Sequence, residues 1–317
     1  MKMGASSYDW SLHVPAAEGA PSLHRCPPTV KVVDETLRDG LQAASCKNPA
    51  LGVKLAMLHA MAGVGVNVVS IGMPAAGARH AEDTVALARE IAGARLPLVP
   101  TAAARTMDAD IDAVARVAER AGIGIEVYAF LGTSAIRQLV EGWDLAFLVK
   151  AVATAGTATA RAGLPFCLVT EDTTRSAPEV LHAVFGAAID AGASRLCLCD
   201  TTGFASPLGA SELVAFTQRE LAAAGADHVG LDWHGHNDRG RALPVALYAA
   251  SLGVERIHGT ALGIGERVGN ASLEMLVHNL GLLGAREPVP TERLADYMRL
   301  CAGALAWELP DDHPLLG

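Results

Sequence analysis

Aromatic side chains are scarce in this chain of 317 residues, at 4% against 51% hydrophobic residues overall. A core built under that limit must rest on Ala, Val, Leu and Ile, which suits helices packed on a parallel sheet. Basic charge is also short, with 25 Lys and Arg against 34 Asp and Glu, a formal net charge of -9. That balance argues against nucleic acid or an anionic membrane as a partner. Cysteine is sparse: the six lie at 26, 46, 167, 197, 199 and 301, with no C-x-x-C pair. No disulfide framework is implied, and reduced thiols in a cytoplasmic protein are the expectation. No apolar run reaches the ~20 residues of a membrane span, and the first 28 residues lack the apolar stretch of a signal peptide.

What the chain does have is alternation. Short β-branched runs at 29–35, 65–72, 95–101, 122–130, 164–170, 194–200, 228–234 and 256–262 read as eight strands. Ala-rich segments with helical spacing separate them, such as "AEDTVALAREIAGA" and "DADIDAVARVAERAG", with Gly near their C-terminal ends. Eight β-α units predict an α/β fold, a (β/α)8 TIM barrel over 29–285, with an N-terminal arm at 1–28 and a short C-terminal helical extension at 286–317. The rival, a doubly wound open sheet, often carries G-x-G-x-x-G after its first strand. Here that strand runs into "DETLRDG" instead.

In such a barrel, chemistry collects at the C-terminal ends of the strands. Polar residues stand at those positions: Arg38 and Asp39 after the first strand, Glu171 and Asp172 after the fifth, Asp200 and Thr201 after the sixth, and Glu266 and Asn270 after the eighth. Singly, each reads as a helix cap or loop charge. The seventh strand ends in "WHGHNDRG", where His234 and His236 are spaced to share one face of a strand. Two imidazoles, the Asp39 carboxylate and the Asn270 amide oxygen form a mixed donor set for a divalent metal cation, Mg2+, Mn2+ or Zn2+. Such an ion can chelate a 2-oxo acid and polarise its ketone, while Arg38 stabilises charge on an enolate or alkoxide. A structural ion pair is the other role open to Arg38.

"DETLRDGLQ", "LVTEDTTRS", "CDTTGFASP", "HGHNDRG" and "GIGERVGNASLE" together resemble, in order and spacing, the metal-dependent barrel family of 2-isopropylmalate, homocitrate and citramalate synthases. The lyase that cleaves 3-hydroxy-3-methylglutaryl-CoA is a more distant member. The resemblance runs from about residue 30 to 283. It implies metal binding by Asp39, His234 and His236 with Asn270 nearby, and a catalytic Arg38. Glu171 is then a carboxylate that assists proton removal, Thr201 a hydroxyl on the 2-oxo acid, and Glu266 a group near the acyl-CoA, while Gln42 completes the first motif. The implied activity is Claisen-type condensation of acetyl-CoA or another acyl-CoA with a 2-oxo acid, in a homodimer. The alternatives are a lyase acting on a 3-hydroxyacyl-CoA and a non-catalytic, metabolite-binding barrel.

The chain departs from the family pattern in places. Leu41 replaces the Glu common in synthases, as it does in lyases, yet the loop after the last strand lacks the cysteine of the best-known lyases. Ser70 stands where an acidic residue normally supports the catalytic arginine, which implies a rearranged Arg38 or an altered substrate. Arg137 stands where related synthases often have His, and could meet a second substrate carboxylate or pair with Glu141 one turn later. The family's helical subdomain, which brings a histidine and often a tyrosine to the partner's site, would begin where this chain stops, so a truncated product or part of a longer chain is expected. Tyr297 and His313 are the late candidates for that role. The helix at 291–306 is expected to contribute to the dimer.

Overall fold

The computed structural model describes residues 26, 27 and 30–316; the 1–28 arm otherwise lies outside the described residues. The strands are β1 (Lys31–Asp34), β2 (Val68–Ser70), β3 (Val99–Arg105), β4 (Glu126–Gly132), β5 (Phe166–Glu171), β6 (Arg195–Asp200), β7 (Gly230–Gly235) and β8 (Arg256–Gly259). All pair in parallel, each with its neighbour in sequence, and β8 returns to β1 to close the barrel. Helices α1 (Leu51–Gly63), α2 (Ala78–Gly93), α3 (Asp108–Ala121), α4 (Ala135–Glu141), α5 (Leu145–Arg161), α6 (Pro178–Asp190), α7 (Pro207–Ala223), α8 (Ala242–Ser251), α9 (Leu273–Leu282) and α10 (Thr291–Leu305) surround it.

Local chemistry accounts for the boundaries. Helix α3 opens with Asp108 and Asp110 at its positive end and stops at Gly122, whose left-handed φ of 69° costs a glycine little. Helix α7 opens with the Ser206 side chain accepting from the Gly209 amide and with Pro207 in the first turn. The third strand lies later than the sequence reading of 95–101, because "TAAAR" pairs with β4 from Thr101↔Glu126 to Arg105↔Phe130 despite its weak β-propensity. Ladder bonds and burial override local preference there.

Most of the apolar core lies between sheet and helices, where Val, Leu, Ile and Ala dominate. The barrel interior differs. A small cluster of Tyr128, Cys167, Cys197 and Cys199 shares it with Asp232, His258, Arg256 and Glu35, all buried. Helix α10 packs on this barrel, with Tyr297 fully covered and its hydroxyl donating to Asp34 Oδ2 at 2.6 Å. Among the described residues no helix is long and apolar enough to cross a membrane, and Cys46, Cys167, Cys197, Cys199 and Cys301 are free thiols.

Candidate active site

Asp232 and His234 on β7, and His236 one residue past its end, alternate with Trp233 and Gly235, so all three face the barrel axis. At the mouth, His234 Nε2 stands 3.2 Å from Asp39 Oδ2, His236 Nε2 stands 3.5 Å from the same oxygen, and the two nitrogens are 3.1 Å apart. Metal–ligand bonds of ~2.1 Å place neighbouring donors about 3.0–3.4 Å apart, so these spacings fit one cation. The donors are buried. His236 is pushed down to about 4 by burial and by the neighbouring His234, which favours the neutral, ligating imidazole. Burial works against ionisation of Asp39, but the charge of Arg38 and the bond from His234 hold it well below the usual carboxylate range.

Asn270 lies beside this triad, bridged to His236 through the backbone, and its Oδ1 is buried without a hydrogen-bond partner. A lone acceptor of that kind suits a cation or a bound water. Gly265 makes the arrangement possible, because a Cβ there would collide with the Asn270 amide and approach Asp39 Oδ1 at 3.0 Å. The residues present therefore fit a divalent ion.

The triad opens into a cavity of about 330 Å³ whose walls include Arg38, Gln42, Arg137, Glu171, Thr201 and Glu266. Its floor carries Ser70, Met73, Ala103, Tyr128, Val169, Cys197 and Cys199. All the sequence-derived site residues thus surround this cavity, with Asn270 just behind its metal side. Thr201 has a second contact: its hydroxyl accepts from the Asp172 amide at 2.8 Å, tying the β5 and β6 loops together. Glu171 is raised, chiefly by burial, with Arg137 pulling the other way from 3.6 Å. Arg137 also pairs with Glu141 at 3.2 Å, while its Nε is buried without a hydrogen-bond partner. The two late candidates do not reach the cavity. Tyr297 is held on Asp34, and His313 lies 3.2 Å from Glu274.

Sequence reading missed the group that holds the arginine. Arg38 donates through Nε to Glu35 Oε2 at 2.8 Å, with its Nη2 in ion-pair contact with the same oxygen at 2.7 Å, and stands 3.8 Å from Asp39. Ser70, one register position beyond the Asp34↔Val69 pair, lines the same cavity. The carboxylate expected at position 70 is therefore supplied by the adjacent strand. Behind Glu35, His258 Nδ1 is 3.2 Å away, an ion-pair contact without hydrogen-bond alignment, and His258 Nε2 lies 3.2 Å from Asp232 Oδ2. Asp232 in turn accepts from Tyr128 and Arg195. His258 loses basicity to burial but gains more from Asp232 and Glu35, so its net shift is upward. Glu35, His234 and His258 form a second group with metal-ligand spacing. Glu35 was visible as the acidic residue at the C-terminal end of the first strand. The inward face of "RIHG" gave the only sign of His258.

A family model described as HMGL-like matches residues 29–301. Among curated relatives, a 2-isopropylmalate synthase from Xylella fastidiosa (strain M23) is 33% identical over 260 residues, covering 80% of this chain and 48% of that protein. One from Synechococcus sp. (strain WH7803) is 34% identical over 258 residues, covering 79% and 46%. This chain spans about half the length of the curated relatives it matches. The solved HMG-CoA lyase of Bacillus subtilis shares the fold, with a TM-score of 0.73 at 19% identity, over 92% of this chain and 97% of that one.

Proposed function

The chain belongs to the HMGL-like family, and from that membership and the barrel-mouth geometry we propose that it condenses acetyl-CoA, or a close acyl-CoA, with a 2-oxo acid. The observation that supports this best is the convergence of Asp39, His234 and His236 on one point beside Arg38, inside a cavity of about 330 Å³. Asp39, His234 and His236, with Asn270 adjacent, would hold Mg2+, Mn2+ or Zn2+. When bound, the ion supplies Lewis-acid polarisation of the ketone.

The chain's own groups divide the remaining tasks. Arg38 is held by Glu35 through its Nε and lines the cavity, where its guanidinium stabilises negative charge on an enolate or alkoxide oxygen. Glu171 takes a proton from the acyl methyl group or orients a water, and its upward shift strengthens it as a base. Thr201, Gln42 and Glu266 position the two substrates. Arg137, which lines the same cavity and pairs with Glu171 at 3.6 Å, receives a second anionic group on the 2-oxo acid. The functional assembly is a homodimer, which sedimentation of the purified protein would check.

The deciding experiment is thiol release from acetyl-CoA against a panel of 2-oxo acids, with each metal supplied in turn. Release that depends on one 2-oxo acid is the expected outcome. Cleavage of a 3-hydroxyacyl-CoA in its place would assign a lyase, a reading that Leu41 also favours. Metabolite binding with neither reaction would assign a regulatory barrel.

A further inference from the structure

A second cavity, about 620 Å³, opens on the outer side of the same rim. Thr173 and Thr174 from the β5 loop form one wall, Phe204 and Ser206 from the β6 loop another, and Leu213, Phe216 and Arg219 of α7 a third. Arg239 and Arg241 close it from the loop after β7. The β5 and β6 loops contribute to both cavities, with Glu171 and Thr201 lining one and Thr173 and Phe204 the other.

Its charge is unusual for an acidic protein. Arg219, Arg239 and Arg241 face one lining carboxylate, Glu212, and none of the three arginines takes part in an ion pair among the described residues. Nearby Arg175 and Arg267 do, with Asp172 and Asp238. Arg239 and Arg241 converge on one acceptor, the Phe204 carbonyl, at 3.3 and 3.1 Å. Arg241 Nε is shielded from solvent and has no hydrogen-bond partner. Asp200, whose charge Arg241 feels, is already engaged by the Thr174 hydroxyl and the Phe204 and Ala205 amides. Cations brought together without counter-charges repel one another, and a multiply charged anion relieves that repulsion.

The remaining surface suits a flat ring. Phe204 is 52% exposed, and the Arg239 guanidinium lies 5.6 Å from its ring centre. Leu181, Leu213 and Phe216 add apolar wall. The N-terminal turn of the 17-residue α7 also opens here. We propose that this cavity binds a nucleotide carrying two or more phosphates, with the phosphates on the three arginines and the base against Phe204. Two sources share that chemistry: the nucleotide end of the acyl-CoA whose acyl end enters the neighbouring cavity, and a free nucleotide acting as an effector. The first rests on the condensation reading above, and the second does not.

Calorimetry of the intact chain with ADP, adenosine and inorganic phosphate tests the site. ADP should bind the wild type, and adenosine about 10-fold more weakly or worse. Arg219→Glu breaks no hydrogen bond and should weaken ADP by about 10-fold or more, as should Arg239→Ala combined with Arg241→Ala. Displacement of ADP by CoA, with a raised acyl-CoA KM in Arg219→Glu, assigns the first source; ADP binding undisturbed by saturating CoA assigns the second. No ADP binding by the wild type at millimolar concentration overturns the proposal. So does equal ADP affinity in wild type and Arg219→Glu. If the protein releases no CoA from any acyl-CoA, the condensation reading fails, while the ADP result still decides this site.

Discussion

Glu35→Gln isolates the support of the proposed catalytic arginine. The carboxylate is 3% exposed, accepts a hydrogen bond from Arg38 Nε at 2.8 Å and lies 2.7 Å from Arg38 Nη2. An amide with its oxygen at the Oε2 position keeps an acceptor for Arg38 but loses the charge, and its NH2 group then faces His258 Nδ1 in place of Oε1. Breaking a buried ion pair costs ~3–5 kcal/mol, and one charge-assisted hydrogen bond contributes ~1.5–3 kcal/mol. The lower range applies, because the Arg38 side chain is 24% exposed and Asp39 remains 3.8 Å away. About 2 kcal/mol of lost positioning corresponds to a ~30-fold fall in kcat. The assay is CoA release at saturating substrate, with metal content and Tm measured on the same samples. Adding Ser70→Glu to Glu35→Gln should recover much of the loss, since residue 70 lines the same cavity from the neighbouring strand. A Glu35→Gln enzyme that turns over within two-fold of wild type would refute the assignment. A double variant no faster than the single one would refute the equivalence of the two positions.

Other consequences are equally open to measurement. His236→Ala should weaken divalent-metal binding by about 10- to 100-fold and abolish turnover, read by calorimetry and the thiol assay; undiminished metal affinity would remove His236 from the ligand set. Gly265→Ala should disturb the same binding through Asn270 and Asp39, although the residue has no side chain of its own. Tyr297→Phe deletes the buried bond to Asp34 and should cost ~1–3 kcal/mol of stability while kcat stays within about two-fold; a large loss of kcat would make Tyr297 part of the chemistry. Asp34 is raised to about 6, chiefly by burial, so the folded state keeps a proton that the unfolded chain gives up near 4. Stability from this group is full below about 4 and is lost as pH rises to about 6, amounting to ~3 kcal/mol. Chemical denaturation of wild type and Asp34→Asn across that window should show the difference, and parallel pH profiles would contradict it.

Composition and periodicity determined the architecture by themselves. Eight β-branched runs between Ala-rich helical segments leave few ways to bury both faces of a parallel sheet, and a closed barrel is one of them. The residues at the strand ends were legible for the same reason: a strand's side chains alternate, so spacing alone placed His234 and His236 on one face. Strand β3 shows where that reasoning weakens, because its alanines carry little propensity and the neighbouring ladder sets their register. The partner of Arg38 could not be read from spacing. Positions 35 and 70 are far apart in the chain, and only the β1–β2 pairing brings them to one cavity, where either could hold a carboxylate. The polar column of Glu35, His258, Asp232 and Tyr128 was hidden likewise, since its members lie on three strands and just past the end of β1 and become neighbours only when the barrel closes. Arg219, Arg239 and Arg241 appear as scattered surface charges in sequence, and only the fold sets α7 and the β7 loop, held on the Phe204 carbonyl, around one cavity.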